Sequence, residues 1–276
     1  FWCTPNAALK GHQDGTYFIT YPVLETLRAI RDCNGDLNQA SHTMMNKEPD
    51  AYPTAGGEMI RGIHILPLTS TTEGPIDSTN TFILGEQEAV VVDPGTHTDE
   101  GTSALISYMK LMIRSGTTFR SIWLTHSRPD HIASAKQVAE EFNLPVLAHP
   151  ECAKRLPNDI PIEGHLNDGD CFTLKLDEER SSTWKVFHTP GITPGHVVFY
   201  EENLNNLVSG NTVIAIGAAA LKDNESNPAH LKSSLKRLEQ LPLGIIFPGH
   251  GPSVAAGRQA ITRMIEALDE RKRPPS

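Results

Sequence analysis

The sequence lacks any apolar run close to the roughly 18 residues that a membrane-spanning helix needs, and no secretory hydrophobic segment opens it. Cysteine is scarce. The four cysteines, Cys3, Cys33, Cys152 and Cys171, lie far apart and form no CxxC pair. We therefore expect free thiols in a reducing compartment, which predicts a cytoplasmic protein without a membrane partner.

Positive charge is also in short supply. The 276 residues contain 24 Lys and Arg against 33 Asp and Glu, a formal net charge of −9. Nucleic-acid binding needs a basic face to neutralise phosphates, so this balance disfavours it. The basic run at 271–273 is interpreted as a solvated tail. A small-molecule substrate is the expected partner, and the oligomeric state stays open.

What is present suits one large domain with an appendage, since 38% of the residues are hydrophobic. Residues 1–57 are predicted to form a helical extension and a linker, because Val23, Leu27 and Ile30 recur at helical spacing and 45–57 is polar and rich in Pro and Gly. The segment Trp2–Leu9 resembles the tail of a Nudix hydrolase domain. It lacks a Nudix catalytic box, so no activity is implied, and a packing extension is the alternative.

From Met59 onwards strands and helices alternate, which predicts an α/β chain with mixed sheets. The hairpin over 81–92 is indicated by two apolar runs around Gly85, and the helix that starts at Pro228 by Asn227 before it. Further helices are predicted over 99–114, 132–142 and 254–271, and further strands over 60–66, 119–125, 145–148, 171–175, 183–188, 196–201, 205–209 and 243–247.

The most informative motif is the loop His126–His131, which follows the apolar run Ser121–Leu124. Imidazole and carboxylate groups are ligands for zinc and similar metals, and a strand-end loop is where ligands from distant segments converge. Arg128 places a cation inside this run of ligand types. Four more polar turns follow predicted strands: His188–Gly191, Thr193–His196, Ser209–Thr212 and Pro248–Gly251.

Together these segments resemble the metallo-β-lactamase-fold hydrolases, whose loop is H-x-H-x-D-H followed by TPGH, SGD and PGH segments. The spacing and the FPGHG segment are most similar to the glyoxalase II-like and β-lactamase-like-2 branch. The resemblance implies a four-layer αββα sandwich over residues 58–276, with the metal site along one edge.

Two positions depart from the family pattern. Arg128 stands where the family has its second histidine, and Asn211 stands where glyoxalase-like members have a metal-bridging aspartate. The other positions match the family's ligands: His126 and His196 of the first metal site, and Asp130, His131 and His250 of the second.

The two departures make the first site less favourable to cations by two formal charge units. Arg128 has no lone pair to offer a metal, and Asn211 offers only one neutral amide oxygen. We therefore expect one ion, most simply zinc, with iron or manganese as alternatives. Asp130 would be both ligand and the catalytic group that orients the water, and Arg128 would bind a carboxylate or phosphate of the substrate.

Asp93 is implied by the resemblance to orient a ligand, with a role in stabilising its turn as the alternative. The predicted function is a metal-dependent hydrolase that cleaves a thioester, ester or lactone. One alternative is a catalytically impaired binding or scaffold protein on the same fold, and another is a nuclease of this fold, which the negative charge disfavours.

Overall fold

The computed structural model describes residues 3–13, 21–45, 56–71, 76–215, 221 and 224–270. Across this part of the chain no helix is long and apolar enough to cross a membrane. All four cysteines are free thiols.

The first sheet contains seven strands among the described residues, in sequential order. Four of them pair antiparallel: β1 (Gly57–Ile60), β2 (Ile63–Thr69), β3 (Ser78–Gly85) and β4 (Glu88–Val92). Three more extend the sheet in parallel: β5 (Thr118–Leu124), β6 (Val146–Ala148) and β7 (Ile162–His165).

The second sheet runs in the order β12-β11-β10-β9-β8. Its strands are β8 (Cys171–Lys175), β9 (Ser181–His188), β10 (Val197–Glu201), β11 (Asn206–Gly210) and β12 (Ile246–Pro248). The pairings are antiparallel except for β11 with β12, which is parallel. That one parallel pairing brings the carboxyl ends of β11 and β12 to the same edge of the sheet.

Helices cover the outer face of each sheet. Leu105 and Met109 of α4 (Asp99–Arg114) and Val138 of α6 (Ala135–Phe142) share a core with the first sheet. Leu231 of α8 (Pro228–Glu239) and Ile261 of α9 (Gly257–Glu270) share another with the second sheet.

A third core lies between the two sheets. Its largest members are fully or almost fully buried: Phe82, Trp123, Trp184, Phe199 and Phe247. Burying an aromatic or aliphatic side chain of this size contributes about 1.5–3 kcal/mol, so these three apolar layers fix the spacing of the helices and sheets. The predicted four-layer αββα arrangement is confirmed.

The N-terminal extension is helical, with α1 (Pro5–Gln13), α2 (Tyr21–Asp32) and α3 (Leu37–Met45). It contacts the sheet through Arg28 of α2, whose guanidinium donates to the carboxylate of Glu58 on β1 at 3.0 Å. Most of the predicted linker and the basic run at 271–273 lie outside the described residues. The division at residue 57 and the Nudix resemblance stay predictions.

Several elements differ from the sequence prediction. The single strand predicted over 60–66 is two strands joined by a turn at Gly62, which has a positive φ of 72°. Pro67 lies within β2, beyond Ile65, which is the last residue of β2 that pairs with β1 in the part of the chain that the structure describes. The helix predicted over 132–142 is two helices, α5 (Pro129–Ile132) and α6, and the prediction missed β7 and the short α7 (Pro150–Ala153).

Candidate metal centre

All seven predicted site residues lie at one edge of the sandwich, where strands of both sheets end. The loop after β5 carries four of them, and the others precede β10 or follow β11 and β12. The rings of His126 and His131 lie 4.2 Å apart between centroids, and that of His196 lies 4.7 Å from His126. The residues concerned are His126, Arg128, Asp130, His131, His196, Asn211 and His250.

Asp93, directly after β4, anchors this edge. It is fully buried and has a positive φ of 49°, a left-handed conformation that costs energy for a residue with a side chain. Its Oδ1 accepts from the Thr125 backbone N–H at 2.7 Å, and its Oδ2 accepts from the Thr125 hydroxyl at 2.5 Å and from His131 Nδ1 at 2.8 Å. His131 therefore carries its proton on Nδ1 and presents the Nε2 lone pair to the site.

His250 is oriented in the same way. Its Nδ1–H donates to the backbone carbonyl of Ser78 at 2.8 Å, which leaves Nε2 facing the site. Asn80 fixes the surrounding loop, because its side-chain amide donates to the carbonyls of Pro248 and Gly251, both at 2.8 Å. The strand β3 thus determines where the C-terminal histidine points.

Asp130, His131 and His250 bring three potential ligand atoms together. Nε2 of His250 lies 3.1 Å from Nε2 of His131 and 3.2 Å from Oδ2 of Asp130, and the remaining distance is 3.9 Å. Ligand atoms around a tetrahedral zinc ion are about 3.3 Å apart when the bonds are about 2.0 Å long. Two lone pairs that face each other at this distance repel, and either a proton or a metal ion between them removes the repulsion. The set therefore fits a divalent metal ion.

Asp93, His126 and His131 also bring one potential ligand atom each within 4.8 Å of one another. We do not assign a metal to this group, because both Asp93 oxygens already accept hydrogen bonds, one of them from His131 Nδ1. The carboxylate orients ligands here, which agrees with the role that the family resemblance implies.

The Nε2 atoms of His126 and His196 accept hydrogen bonds from N–H groups of Asn211. The Thr125 hydroxyl donates to Asp93, so it accepts from His126 Nδ1–H at 2.8 Å. Nε2 of His126 then accepts from the Asn211 side-chain amide at 3.3 Å. Nε2 of His196 accepts from the Asn211 backbone N–H at 3.1 Å.

The pKa shifts differ between the pair His126 and His196 and the pair Asp130 and His131. Burial lowers the pKa of His126 and of His196 well below the usual value, and the positive charge of Arg128 acts in the same direction on both. Burial also disfavours protonation of His131, but the Asp93 carboxylate outweighs it and raises the pKa of His131. Burial opposes ionisation of Asp130, yet its contacts with His250 and His131 bring the pKa down to about 2.

Sequence reasoning missed the threonines that position His126 and His196. Thr125 links Asp93 to His126, and the hydroxyls of Thr189 and Thr212 lie 3.2 and 3.1 Å from Nδ1 of His196. For Thr125, its position directly before His126 was a signal in the sequence, whereas Thr189 and Thr212 lie far from His196 along the chain. The contribution of Ser78 is a backbone carbonyl, so its side-chain identity carries no signal.

Comparison with known proteins shows the same fold family. A family model described as "Metallo-beta-lactamase superfamily" matches residues 74–250. A hydroxyacylglutathione hydrolase from Chelativorans sp. (strain BNC1) is 28% identical over 195 residues, which cover 64% of this chain and 72% of that protein.

Two further proteins are similar. A beta-lactamase-like protein 2 homolog from Caenorhabditis elegans is 25% identical over 197 residues, which cover 71% of this chain and 61% of the relative. The crystal structure of TTHA1623 in a di-iron-bound form is 26% identical, covers 71% of this chain and 96% of that chain, and has a TM-score of 0.54.

Proposed function

The chain belongs to the metallo-beta-lactamase superfamily, and from that premise we propose that it is a hydrolase with one metal ion. The ion would be held by Asp130, His131 and His250, with zinc as the first choice and iron or manganese as alternatives. The substrate would be a small thioester, ester or lactone. The relative named hydroxyacylglutathione hydrolase supports a hydrolase of a small molecule.

The observation that carries this proposal is the convergence of three ligand atoms within 3.9 Å. Two histidines and one carboxylate leave a further position open, which is the composition of catalytic rather than closed structural zinc sites. When bound there, a divalent ion supplies Lewis acidity and lowers the pKa of water to about 7.

The chain's own residues divide the remaining work. Asp130 and His250 are each 14% exposed, so substrate reaches the site from their side, while His131 is closed off. Asp130 accepts a hydrogen bond from the attacking water and orients it. Asp93 keeps His131 in the correct tautomer.

Arg128 would bind an anionic group of the substrate. It immediately precedes α5, which contains Asp130 and His131, and its charge affects the pKa of three site histidines, so the guanidinium lies close to the reaction site. A guanidinium matches the geometry of carboxylate and phosphate through paired donors.

Metal analysis together with an esterase assay tests the proposal. Protein purified without chelator should contain about one transition-metal ion per chain and hydrolyse a thioester, and His250→Ala should lose both properties. His165→Ala changes an exposed histidine and is the matched control. A parent protein that carries no metal, and binds none on addition, would eliminate the hydrolase proposal and leave the binding or scaffold protein.

The role of Arg128 has its own test. Arg128→Ala should raise KM for a thioester with a carboxylate about tenfold or more, a loss of roughly 1.4 kcal/mol or more, and leave KM for a neutral ester nearly unchanged. Arg128→Lys should recover only part of the loss, because lysine cannot form the paired contact. Equal effects on both substrates would argue against an anion contact.

A cytoplasmic location, consistent with four free thiols, is part of the same proposal.

A further inference from the structure

Asn211 combines two features: it donates hydrogen bonds to two histidines, and its side-chain oxygen has no partner among the described residues. Its backbone N–H donates to Nε2 of His196, and its side-chain amide donates to Nε2 of His126. Both histidines are buried. Its Oδ1 is buried and has no hydrogen-bond partner among the described residues. A buried carbonyl oxygen without a partner destabilises the folded state, so this atom requires an explanation.

The orientation of the Asn211 amide follows from its neighbours. Because the Thr125 hydroxyl donates to Asp93, His126 donates to Thr125 through Nδ1 and has no proton on Nε2. The opposite amide orientation would place Oδ1 against that Nε2, so that two acceptors would meet at 3.3 Å. The amide nitrogen therefore faces His126.

The side-chain oxygen of Asn211 faces away from His126, towards His131 and Gly249. A Cβ atom built on Gly249 would lie 3.0 Å from Asn211 Oδ1 and 2.5 Å from Cε1 of His131, so the two atoms flank one small space that only glycine leaves open. Cε1 is bonded to Nε2, the ligand atom of His131. The orphan oxygen thus lies on the side of Asp130, His131 and His250.

We propose that Asn211 replaces a metal ion between His126 and His196 with its backbone and side-chain N–H groups, and supplies Oδ1 as a fourth protein ligand of the remaining site, where water would be the fifth. The inference rests on the proposed function. It explains why the site would bind one ion although it contains four histidines. The lone pairs of His126 and His196 are already used by donors, and the orphan oxygen finds its partner when the ion is bound.

Two variants separate the roles of the nitrogen and the oxygen. Asn211→Leu keeps the approximate shape and the backbone N–H but removes the side-chain N–H and Oδ1, and should weaken zinc binding by about tenfold or more in competition with a chromophoric chelator. Asn211→Asp keeps the oxygen and should bind zinc at least as tightly as the parent. Asn158→Asp, at an exposed position, is the control.

A spectroscopic measurement on the unmodified protein completes the test and does not depend on any variant folding. In ¹⁵N-histidine spectra, one equivalent of zinc should shift the Nε2 resonances of His131 and His250 and leave those of His126 and His196 in place. A shift at His126 or His196, or unchanged zinc affinity in Asn211→Leu, would overturn the inference. Absence of any zinc binding by the parent would instead overturn the proposed function.

Discussion

The buried side chain of Asp93 determines the orientation and the tautomer of His131, one of the proposed metal ligands. Its carboxylate accepts from the Thr125 backbone, the Thr125 hydroxyl and His131, and the residue adopts a left-handed backbone conformation. Asparagine tolerates that conformation, so Asp93→Asn changes the charge and one acceptor with little backbone cost.

We expect Asp93→Asn to weaken metal binding by about 10–100-fold, because His131 loses the acceptor that fixes its tautomer. The measurement is metal affinity by competition with a chelator. Asp159→Asn, which alters an exposed carboxylate, should leave the affinity unchanged. An Asp93→Asn protein with parental affinity would mean that the carboxylate acts on stability alone.

At the level of elements, α8 depends on one cap for its start. The side-chain oxygen of Asn227 accepts from the backbone N–H groups of Ala229 and His230, both at 3.0 Å. These groups would otherwise have no partner within the helix. Asn227→Ala should lower the free energy of unfolding by about 1 kcal/mol in a urea titration, and Asn227→Asp should retain most of it. Equal losses in both variants would point to packing instead of capping.

Arg61 forms ion pairs between hairpin turns at the end of the sandwich opposite the metal centre. Its guanidinium donates to both carboxylate oxygens of Glu86 at 3.1 Å and to Asp177 at 2.8 Å, which ties two turns of the first sheet to one of the second. Burial, followed by the nearby negative charge of Glu58, raises the pKa of Glu86 to about 7, although Arg61 opposes this shift.

A carboxyl group with a raised pKa in the folded state stabilises the fold when protonated. Its contribution is full below the unfolded value of 4.5 and is lost as the pH rises through about 7. Between these pH values, Glu86 should reduce the free energy of unfolding by on the order of 1–2 kcal/mol, allowing for its partial exposure.

Urea unfolding of Glu86→Gln at several pH values between 5 and 8 tests this prediction, since the variant should be less sensitive to pH than the parent. Glu179→Gln changes an exposed glutamate nearby and should keep the parental dependence. Identical pH profiles for the parent and Glu86→Gln would contradict the raised pKa. Burial opposes ionisation of Glu58, but the charges of His64 and Arg28 lower its pKa, so its own titration lies below this window.

For the whole molecule, the sequence was sufficient for the layers and for the residues that meet at one edge, but not for the hydrogen bonds among them. These residues were predictable because they follow apolar strands in recognisable turns, as in His126–His131. The hydrogen bond between Asn211 and His126 joins residues 85 positions apart, and no local pattern encodes it. The strand Ile162–His165 was missed because it is short and contains Gly164.

The proposed one-metal state should be reversible, because two side chains, Arg128 and Asn211, would set it. Arg128→His combined with Asn211→Asp removes one positive charge, adds one negative charge, and removes the amide N–H that meets His126. We expect this double variant to bind two zinc ions per chain by native mass spectrometry, and each single variant to bind one, since either change alone leaves an incomplete first site. Arg114→His with Asn158→Asp makes the same charge change at exposed positions and should remain at one ion. A double variant that still binds one ion would show that the surrounding loops, and not these two side chains, exclude the second metal.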